Sequence, residues 1–263
     1  MFLAFETETR YTLRLSHNQR FFMHKNCRLL SALAALFFCF PEAIAEHAVK
    51  PFAANYRAYY FGAEITASRE LKKSDNNTME LSFRTRSLFI DIDEISTLIW
   101  QPNAHSSLIP LDYRYHRTGI GKNRHTQLTF DWQARQVIDL QTQNQIPIPA
   151  NTVVFDKLSY QLQLQYDLIN GKTEFDYLIV DDDKLKNYRF RIAGEESLVT
   201  KLGELNTVKL ARVRDNNKRA TYIWFAKDWH YLLVQFEQRE KDNKKYRIQL
   251  LNATVDGVDV VGR

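Results

Sequence analysis

The sequence predicts a mainly β protein, an antiparallel meander curled into a barrel or half-barrel with one packed helix. Three observations lead to this prediction. Apolar and polar residues alternate with a period of two, the pattern of half-buried strands, over most of the chain after residue 55. Polar turn segments separate these stretches at intervals of roughly ten residues, which is typical of an antiparallel meander. Residues 156–168 carry the end signals of a helix instead.

The start of the chain has the order of a secretory signal peptide. A short basic head at residues 23–28 precedes a 12-residue apolar run at 29–40 and the small-x-small exit Ala43-Ile44-Ala45. The apolar run is too short to span a bilayer comfortably. We therefore predict a signal peptide at residues 23–45 with cleavage after Ala45, and a mis-assigned N-terminal extension at residues 1–22.

Removal of this signal changes the composition of the protein. Residues 46–263 are predicted to form a single β-rich domain of 218 residues without cysteine, because Cys27 and Cys39 both lie in the signal region. Such a domain is large enough to be stable through core burial alone. Residues 46–263 hold 31 basic and 28 acidic residues, a net charge of +3 that does not favour a nucleic-acid partner. No stretch after Ala45 is long and apolar enough for a membrane span, so the processed protein is not expected to be an integral membrane protein.

The predicted strands follow the alternation of apolar and polar residues. Before the helix they cover residues 55–71, 79–84, 89–100, 111–118, 125–132 and 136–141. After the helix they cover residues 173–180, 188–193, 205–214, 220–225, 231–237 and 245–255. In the first of these strands Gly62 predicts a bend or bulge. In the second, Met79, Leu81 and Phe83 share the buried face.

The segment at residues 156–168 combines helix boundaries with a strand-like pattern. Asp156 is a good N-cap, and Asn170-Gly171 tolerates a left-handed C-terminal stop. The apolar residues nevertheless alternate strictly with polar ones; they are Leu158, Tyr160, Leu162, Leu164, Tyr166 and Leu168. On a helix these side chains form two opposed stripes. We predict a helix that is covered on both sides, with a strand as the alternative.

The hairpin around Gly119–Gly121 carries a concentration of rings and cations. His116 and His125 are symmetric about the turn, so the hairpin places them side by side. A closed metal site needs about four ligands, and only two are present, so no metal is predicted. Tyr113, Tyr115 and Arg117 share one face, which could meet phosphate, an anionic lipid or a glycan. The alternative is a solvated hairpin with its tyrosine face packed inward.

The aromatic side chains supply the candidate ligand-binding residues. If the sheet curls without closing tightly, inward rings line an apolar groove that could take an acyl chain. The alternative is a filled core. The candidates, including the hairpin face, are Trp100, Tyr113, Tyr115, Arg117, Trp132 and Trp224. The sequence carries no catalytic motif of the familiar classes and no glycine loop for phosphates, so no catalytic residue and no cofactor is predicted.

Several fragments together resemble the exported bacterial family known as domain of unknown function 3108. They are Tyr56-Arg-Ala-Tyr-Tyr-Phe-Gly62, Leu108-Ile-Pro-Leu-Asp-Tyr113, Leu128-Thr-Phe-Asp131, Asp156-Lys-Leu-Ser159, Thr200-Lys-Leu-Gly203 and Trp224-Phe-Ala-Lys-Asp228. The resemblance implies an envelope location in a Gram-negative bacterium and a mostly antiparallel β fold, with a shape similar by analogy to the curved open barrels of lipoprotein carriers. The family has no assigned activity, so the resemblance implies no functional residues. The chain departs from the family pattern at Leu232-Leu233, where Leu-Pro is expected.

Three functions are compatible with these observations. The leading hypothesis is a non-enzymatic periplasmic binding or carrier module for an apolar or lipid-like ligand. The second is a structural or chaperone-like protein that interacts with an envelope protein partner. The third is a hydrolase with an unrecognised site, which the sequence neither supports nor rules out.

Overall fold

The alternating stretches of the sequence form a single sheet of 16 strands in the computed structural model. The structure describes residues 48–60, 63–74, 77–101, 108–215, 219–240 and 245–263. The predicted N-terminal extension at 1–22 and signal peptide at 23–45 lie outside the described residues, and the single domain at 46–263 stays a prediction.

The strands and the helix have the following bounds. Before the helix lie β1 Phe52–Tyr60, β2 Ala63–Lys73, β3 Thr78–Thr85, β4 Ile90–Trp100, β5 Leu108–Gly119, β6 Arg124–Asp131, β7 Gln136–Asp139, β8 Gln145–Pro147 and β9 Val154–Phe155. The helix α1 spans Ser159–Ile169. After it lie β10 Glu174–Val180, β11 Leu185–Thr200, β12 Gly203–Val213, β13 Arg219–Ala226, β14 Leu232–Glu240, β15 Lys245–Val255 and β16 Val258–Asp259. A 3₁₀ turn at Lys227–Trp229 joins β13 to β14.

Two meanders meet in the middle of this sheet. Strands β1 to β8 are neighbours in chain order on one side, and β15 to β10 follow in reverse chain order on the other. The meanders join where β1 pairs with β15. Among the described strands, only the β9–β10 pair is parallel. The predicted antiparallel meander is therefore confirmed.

The sheet curls but does not close. Its two edges are β8 and β9, which are adjacent in the chain and separated by residues 148–153. Six residues span roughly 20 Å at most, so the two edges cannot lie far apart. Strand β9 also contacts β5 across the interior. The result is an open, barrel-like sheet whose inner face surrounds the core.

Helix α1 lies in this interior, and the helix prediction is confirmed. Leu162 and Leu164, which lie on opposite sides of the helix, are both fully buried. The buried Asp167 accepts hydrogen bonds from Gln163 at 2.9 Å and from the Tyr177 hydroxyl of β10 at 2.7 Å. The helix ends at Ile169, and Gly171 just after it adopts the left-handed φ of 75° that glycine tolerates. The strand-like pattern therefore reflects burial on two sides.

Three sequence predictions of strand boundaries are wrong. The stretch 55–71 is not one long strand: β1 and β2 are separate strands that pair with each other up to Tyr60 and Ala63, and the bend predicted at Gly62 lies outside the described residues. Pro110 lies inside β5 and not at its border, next to a register shift where a proline is tolerated. Strand β11 extends well beyond 188–193, because its outer half pairs with β12 as an exposed polar hairpin.

Candidate functional site

A pocket of about 140 Å³ lies between the start of the helix and the concave face of the sheet. Six strands that are neighbours in the sheet contribute to it, in the order β4, β3, β2, β1, β15 and β14. The lining side chains are Tyr56, Arg69, Phe83, Glu94, Leu158, Gln161, Leu233, Phe236 and Ile248. The core is therefore not filled along this helix–sheet seam.

The burial of the lining residues separates a floor from a mouth. Tyr56, Arg69, Leu158 and Leu233 are at most 5% exposed and form the floor. The partly exposed side chains form the mouth; they are Phe83, Glu94, Gln161, Phe236 and Ile248. A molecule that enters between the apolar rings of the mouth reaches a floor that contains a cation.

Arg69 is this cation; the neighbouring Tyr56 hydroxyl interacts with its guanidinium, but no acceptor among the described residues forms a hydrogen bond of good geometry with it. Strand β2 directs Ala67, Arg69 and Leu71 to the buried face, so the guanidinium is placed where the pattern otherwise places apolar groups. Arg69 is 3% exposed, and none of its three side-chain nitrogens is hydrogen bonded within the described part of the chain. Its guanidinium carbon lies 5.3 Å from the ring centre of Phe52, a cation–π contact. The neighbouring Tyr56 hydroxyl donates its proton to the carbonyl oxygen of Leu233 at 2.9 Å.

Glu94 lies two strands away from Arg69 in the same cross-strand row. Arg69 is opposite Phe83, and Phe83 is opposite Glu94, so a phenyl ring separates the two charged side chains. Burial raises the pKa of the Glu94 carboxyl to about 7, although the Tyr113 hydroxyl donates a hydrogen bond to its Oε1 at 2.6 Å and opposes this rise. Glu94 is thus largely protonated below neutral pH, and Arg69 then has no ionised neighbour among the lining residues.

Asp156 fixes the end of the helix that covers the pocket. Its Oδ1 accepts hydrogen bonds from the backbone N–H groups of Leu158 and Ser159, each at 2.8 Å. The Ser159 hydroxyl in turn accepts from the backbone N–H of Asp156 at 3.0 Å, which completes a reciprocal capping box. Oδ2 accepts from the Ser96 hydroxyl of β4 at 2.7 Å. Asp156 thus binds the free N–H groups of the turn that leads into the helix at Ser159, as its predicted capping role requires, and this buried Ser–Asp pair is not part of the seam pocket.

The hairpin residues singled out from the sequence lie beside the pocket rather than in it. Tyr113 is buried and contacts the pocket wall through Glu94. Tyr115 is partly buried and is opposite Glu94 in the β4–β5 register. Arg117 donates to the backbone carbonyl oxygens of Ile120 and Lys122 and so stabilises its own turn. The expected pairing of His116 with His125 is present, with ring centres 5.6 Å apart. The described residues contain no group of three metal-ligating side chains that could complete a site there.

The three candidate tryptophans also lie outside the seam pocket. Trp100 packs against the core at the end of β4. Trp132 stacks on Phe130 and donates to the carbonyl oxygen of Pro110 at 2.6 Å. Trp224 is 4% exposed and donates to a carboxylate oxygen of Glu196. The structure thus does not bring the six predicted residues together into one cavity.

Sequence reasoning missed Arg69 and Glu94, although a signal for both is present. In β2 the alternation places Arg69 in phase with Ala67 and Leu71. In β4 Glu94 is in phase with Ser96 and Leu98, which are fully buried. A charged residue in phase with a buried face is uncommon unless it has a partner or a function.

Four other concavities are larger than the seam pocket, and two of them, of about 610 and 510 Å³, are lined mainly by polar side chains. The first includes Asp167, Lys172 and Asp176, and the second includes Arg191 and Arg239. Both suit water better than an apolar ligand. The smaller seam pocket combines apolar walls with an unpaired polar group, as ligand sites commonly do.

The comparison with sequence families identifies the chain. The family profile described as protein of unknown function DUF3108 matches residues 55–250. The chain belongs to the DUF3108 family. This result confirms the resemblance read from the sequence fragments. No curated protein matches the sequence of this DUF3108 member.

A solved structure shows the same class of fold. A β-barrel-like protein of domain of unknown function DUF1849 from Brucella abortus has a TM-score of 0.50 and 10% identity, and the match covers 79% of this DUF3108 chain and 98% of that chain. A DUF1329 family protein from Desulfovibrio piger has a TM-score of 0.28 and 8% identity, with coverage of 81% and 89%. A putative lipoprotein from Parabacteroides distasonis has a TM-score of 0.25 and 11% identity, with coverage of 79% and 94%. Within the described part of this DUF3108 protein, no helix has the length and apolar character of a membrane span.

Proposed function

We propose that this DUF3108 protein is a non-enzymatic binding or carrier module that holds an apolar or lipid-like ligand in the seam pocket. The observation that carries the proposal is the unfilled space between the helix and six neighbouring strands, directly beside the hydrophobic core. Phe83, Phe236 and Ile248 give this space an apolar entrance. An acyl chain or a similar slender molecule fits such a shape.

The size of the pocket limits how much of a ligand it encloses. An apolar cavity of about 150 Å³ accommodates a molecule the size of benzene. A pocket of about 140 Å³ therefore encloses one end of a lipid-like ligand, while the rest of the ligand lies in the mouth. Burial of about five methylene groups contributes roughly 4 kcal/mol, which alone corresponds to a dissociation constant of about 1 mM. Tighter binding requires a polar interaction as well.

We also propose that the protein acts in the periplasm. The proposal is supported by the signal-like order of residues 23–45 and by the resemblance to an exported family. N-terminal sequencing of protein from the periplasmic fraction is expected to give Glu46 as the first residue. Recovery of full-length protein in the cytoplasm would overturn this location.

The other two hypotheses have less support. Among the described residues, the large apolar side chains that are exposed include only two aromatic ones, Tyr59 and Tyr246. A structural or chaperone-like role would be better supported by a continuous aromatic patch. A hydrolase would need an accessible nucleophile beside a base, whereas the Ser96–Asp156 pair is fully buried and caps the helix.

A blocking substitution tests the proposed pocket directly. Ile248 lies at the mouth, so Ile248→Trp is expected to fill the entrance and abolish binding of a medium-chain probe such as decan-1-ol. The matched control is Val199→Trp, because Val199 is 80% exposed on the β11–β12 hairpin. Binding is measured by native mass spectrometry, which also detects co-purified lipid. Equal binding by the blocked variant, or no binding by the native protein, would contradict the proposal.

A further inference from the structure

We propose that Arg69 binds the carboxylate of the ligand on the floor of the seam pocket, so that the protein selects apolar molecules with a carboxylate head group. This inference rests on the proposed function, because it names the head group of the same ligand. It predicts a preference between two molecules that differ only at that group.

The unpaired state of Arg69 is the main argument. Arg69 is 3% exposed and carries five N–H donors, yet the described residues offer it only the neutral Tyr56 hydroxyl as a neighbouring acceptor, without a hydrogen bond of good geometry and without a carboxylate partner. A buried cation without a partner is unfavourable, and native structures rarely keep one without a reason. The guanidinium also lines the pocket, so an entering acceptor can reach it. The guanidinium fork matches a carboxylate in a bidentate geometry.

The charge of the lining residues favours a carboxylate over a phosphate. Arg69 is the only cation among the side chains that line the pocket. A phosphate group carries more charge than one arginine neutralises, whereas a carboxylate carries a single charge. Glu94 is the only acidic side chain in the lining, and Phe83 separates it from Arg69. Glu94 and Arg69 attract each other across the pocket but form no ion pair, so the N–H donors of the guanidinium stay available to a ligand.

The burial gradient fixes the orientation of the ligand. Arg69 belongs to the floor, and the apolar side chains of Phe83, Phe236 and Ile248 belong to the mouth. The carboxylate therefore enters first, and the hydrocarbon chain points outward. In the reverse orientation the ligand would bury its apolar end against an unpaired cation and expose its charge.

The test compares the affinities of decanoate and decan-1-ol for the exported protein after removal of its signal peptide. The native protein is expected to bind decanoate about tenfold to a hundredfold more tightly, since a hydrogen bond to a charged group in a buried site has that effect. Arg69→Met is expected to remove the preference while it keeps binding of decan-1-ol. Arg114→Met is the matched control, because Arg114 is an exposed arginine on β5. Decyl phosphate is the third probe and is expected to bind no better than decanoate.

The outcomes separate this inference from the proposed function. Equal binding of decanoate and decan-1-ol by the native protein would overturn the carboxylate preference and leave the apolar pocket intact. Failure of both probes would overturn the proposed function itself. A preference that persists in Arg69→Met would show that another group binds the carboxylate. Tighter binding of decyl phosphate than of decanoate would contradict the proposed carboxylate preference and indicate a phosphate head group instead.

A second measurement does not depend on the variant being folded. Decanoate labelled with ¹³C at the carboxyl carbon is titrated by NMR in the presence of the native protein. A carboxylate paired with Arg69 is expected to stay ionised below the pH at which free decanoate is half protonated. Protonation at the same pH as free decanoate, or at a higher pH, would overturn the pairing.

Discussion

Tyr113 donates a hydrogen bond from its hydroxyl to Oε1 of Glu94 at 2.6 Å and so connects β5 to the wall of the seam pocket. The bond favours the ionised carboxylate, whereas burial favours the neutral acid, and burial prevails. The balance between these two effects makes Glu94 sensitive to pH in the neutral range.

Glu94 is expected to make the protein less stable as the pH rises. The folded chain keeps the Glu94 proton up to a pKa of about 7, and the unfolded chain releases it near the ordinary value of 4.5. Between these values the folded state binds more protons, so the free energy of unfolding falls with rising pH. Glu94→Gln removes this contribution and is expected to raise the free energy of unfolding at pH 8 by on the order of 2 kcal/mol, and much less at pH 5.

Urea denaturation at the two pH values measures this effect. Glu174→Gln is the control, because Glu174 is exposed at the start of β10. A Glu94→Gln variant with the same stability difference from the native protein at pH 5 and pH 8 would contradict the titration of Glu94 near neutrality.

Removal of the Tyr113 hydroxyl is expected to have the opposite pH profile. Tyr113→Phe keeps the buried ring and deletes only the donor to Glu94. The loss is expected to be about 1.5–3 kcal/mol at pH 8, where Glu94 is ionised, and smaller at pH 5. Denaturation curves at both pH values check this expectation. A loss that is larger at pH 5 would show that the bond favours the protonated acid.

Loss of the Asp156 carboxylate is expected to destabilise the fold through the helix start. Asp156→Ala removes the cap and leaves the buried Ser96 hydroxyl without its acceptor. The expected cost is about 2–4 kcal/mol, the sum of a lost cap and a buried polar group without a partner. Asp176→Ala on the exposed face of β10 serves as the control. A cost below that of the control would contradict the role of Asp156.

Burial of the helix on two opposite sides predicts the effect of two leucine truncations. Leu162→Ala and Leu164→Ala are each expected to cost about 2–5 kcal/mol, because both side chains are fully buried. A helix with one buried stripe would show one large and one small effect. Leu140→Ala, at a site that is 39% exposed, provides the reference in the same denaturation experiment.

Neutral replacement of Arg69 is expected to leave the unliganded protein at least as stable as the native one. Arg69→Met substitutes an apolar side chain of similar length for an unpaired buried cation. Such replacements of buried charge are often neutral or stabilising. Thermal unfolding without ligand measures the difference from the native protein. A clear loss of stability would indicate that Arg69 has a structural partner.

The fold could be predicted from the sequence because burial and local geometry agree over most of the chain. Asp156 and Gly171 give the helix its ends, and those local signals were correct against a strand-like pattern. The pairing of β1 with β15 could not be predicted, because these strands lie about 200 residues apart and nothing local specifies their register. The separation of β1 and β2 was missed because alternation continues through both strands.

The site was harder to predict, because it depends on which strands become neighbours. Arg69 and Phe236 line the same pocket from β2 and β14, and only the sheet order brings them together. The prediction relied on aromatic abundance and selected Trp100, Trp132 and Trp224, which pack at separate places. Arg69, a charged residue in phase with the buried face of β2, was a better indicator of the pocket than the tryptophans.

The junction of β1 with β15 has a consequence for the order of folding. These are the first and last long strands described, so the centre of the sheet is completed only by contacts of very high sequence separation, which form slowly. The pocket draws its walls from both sides of this junction. We therefore expect the pocket to form only when the two meanders pair, so that a bound molecule stabilises both meanders together rather than either one alone.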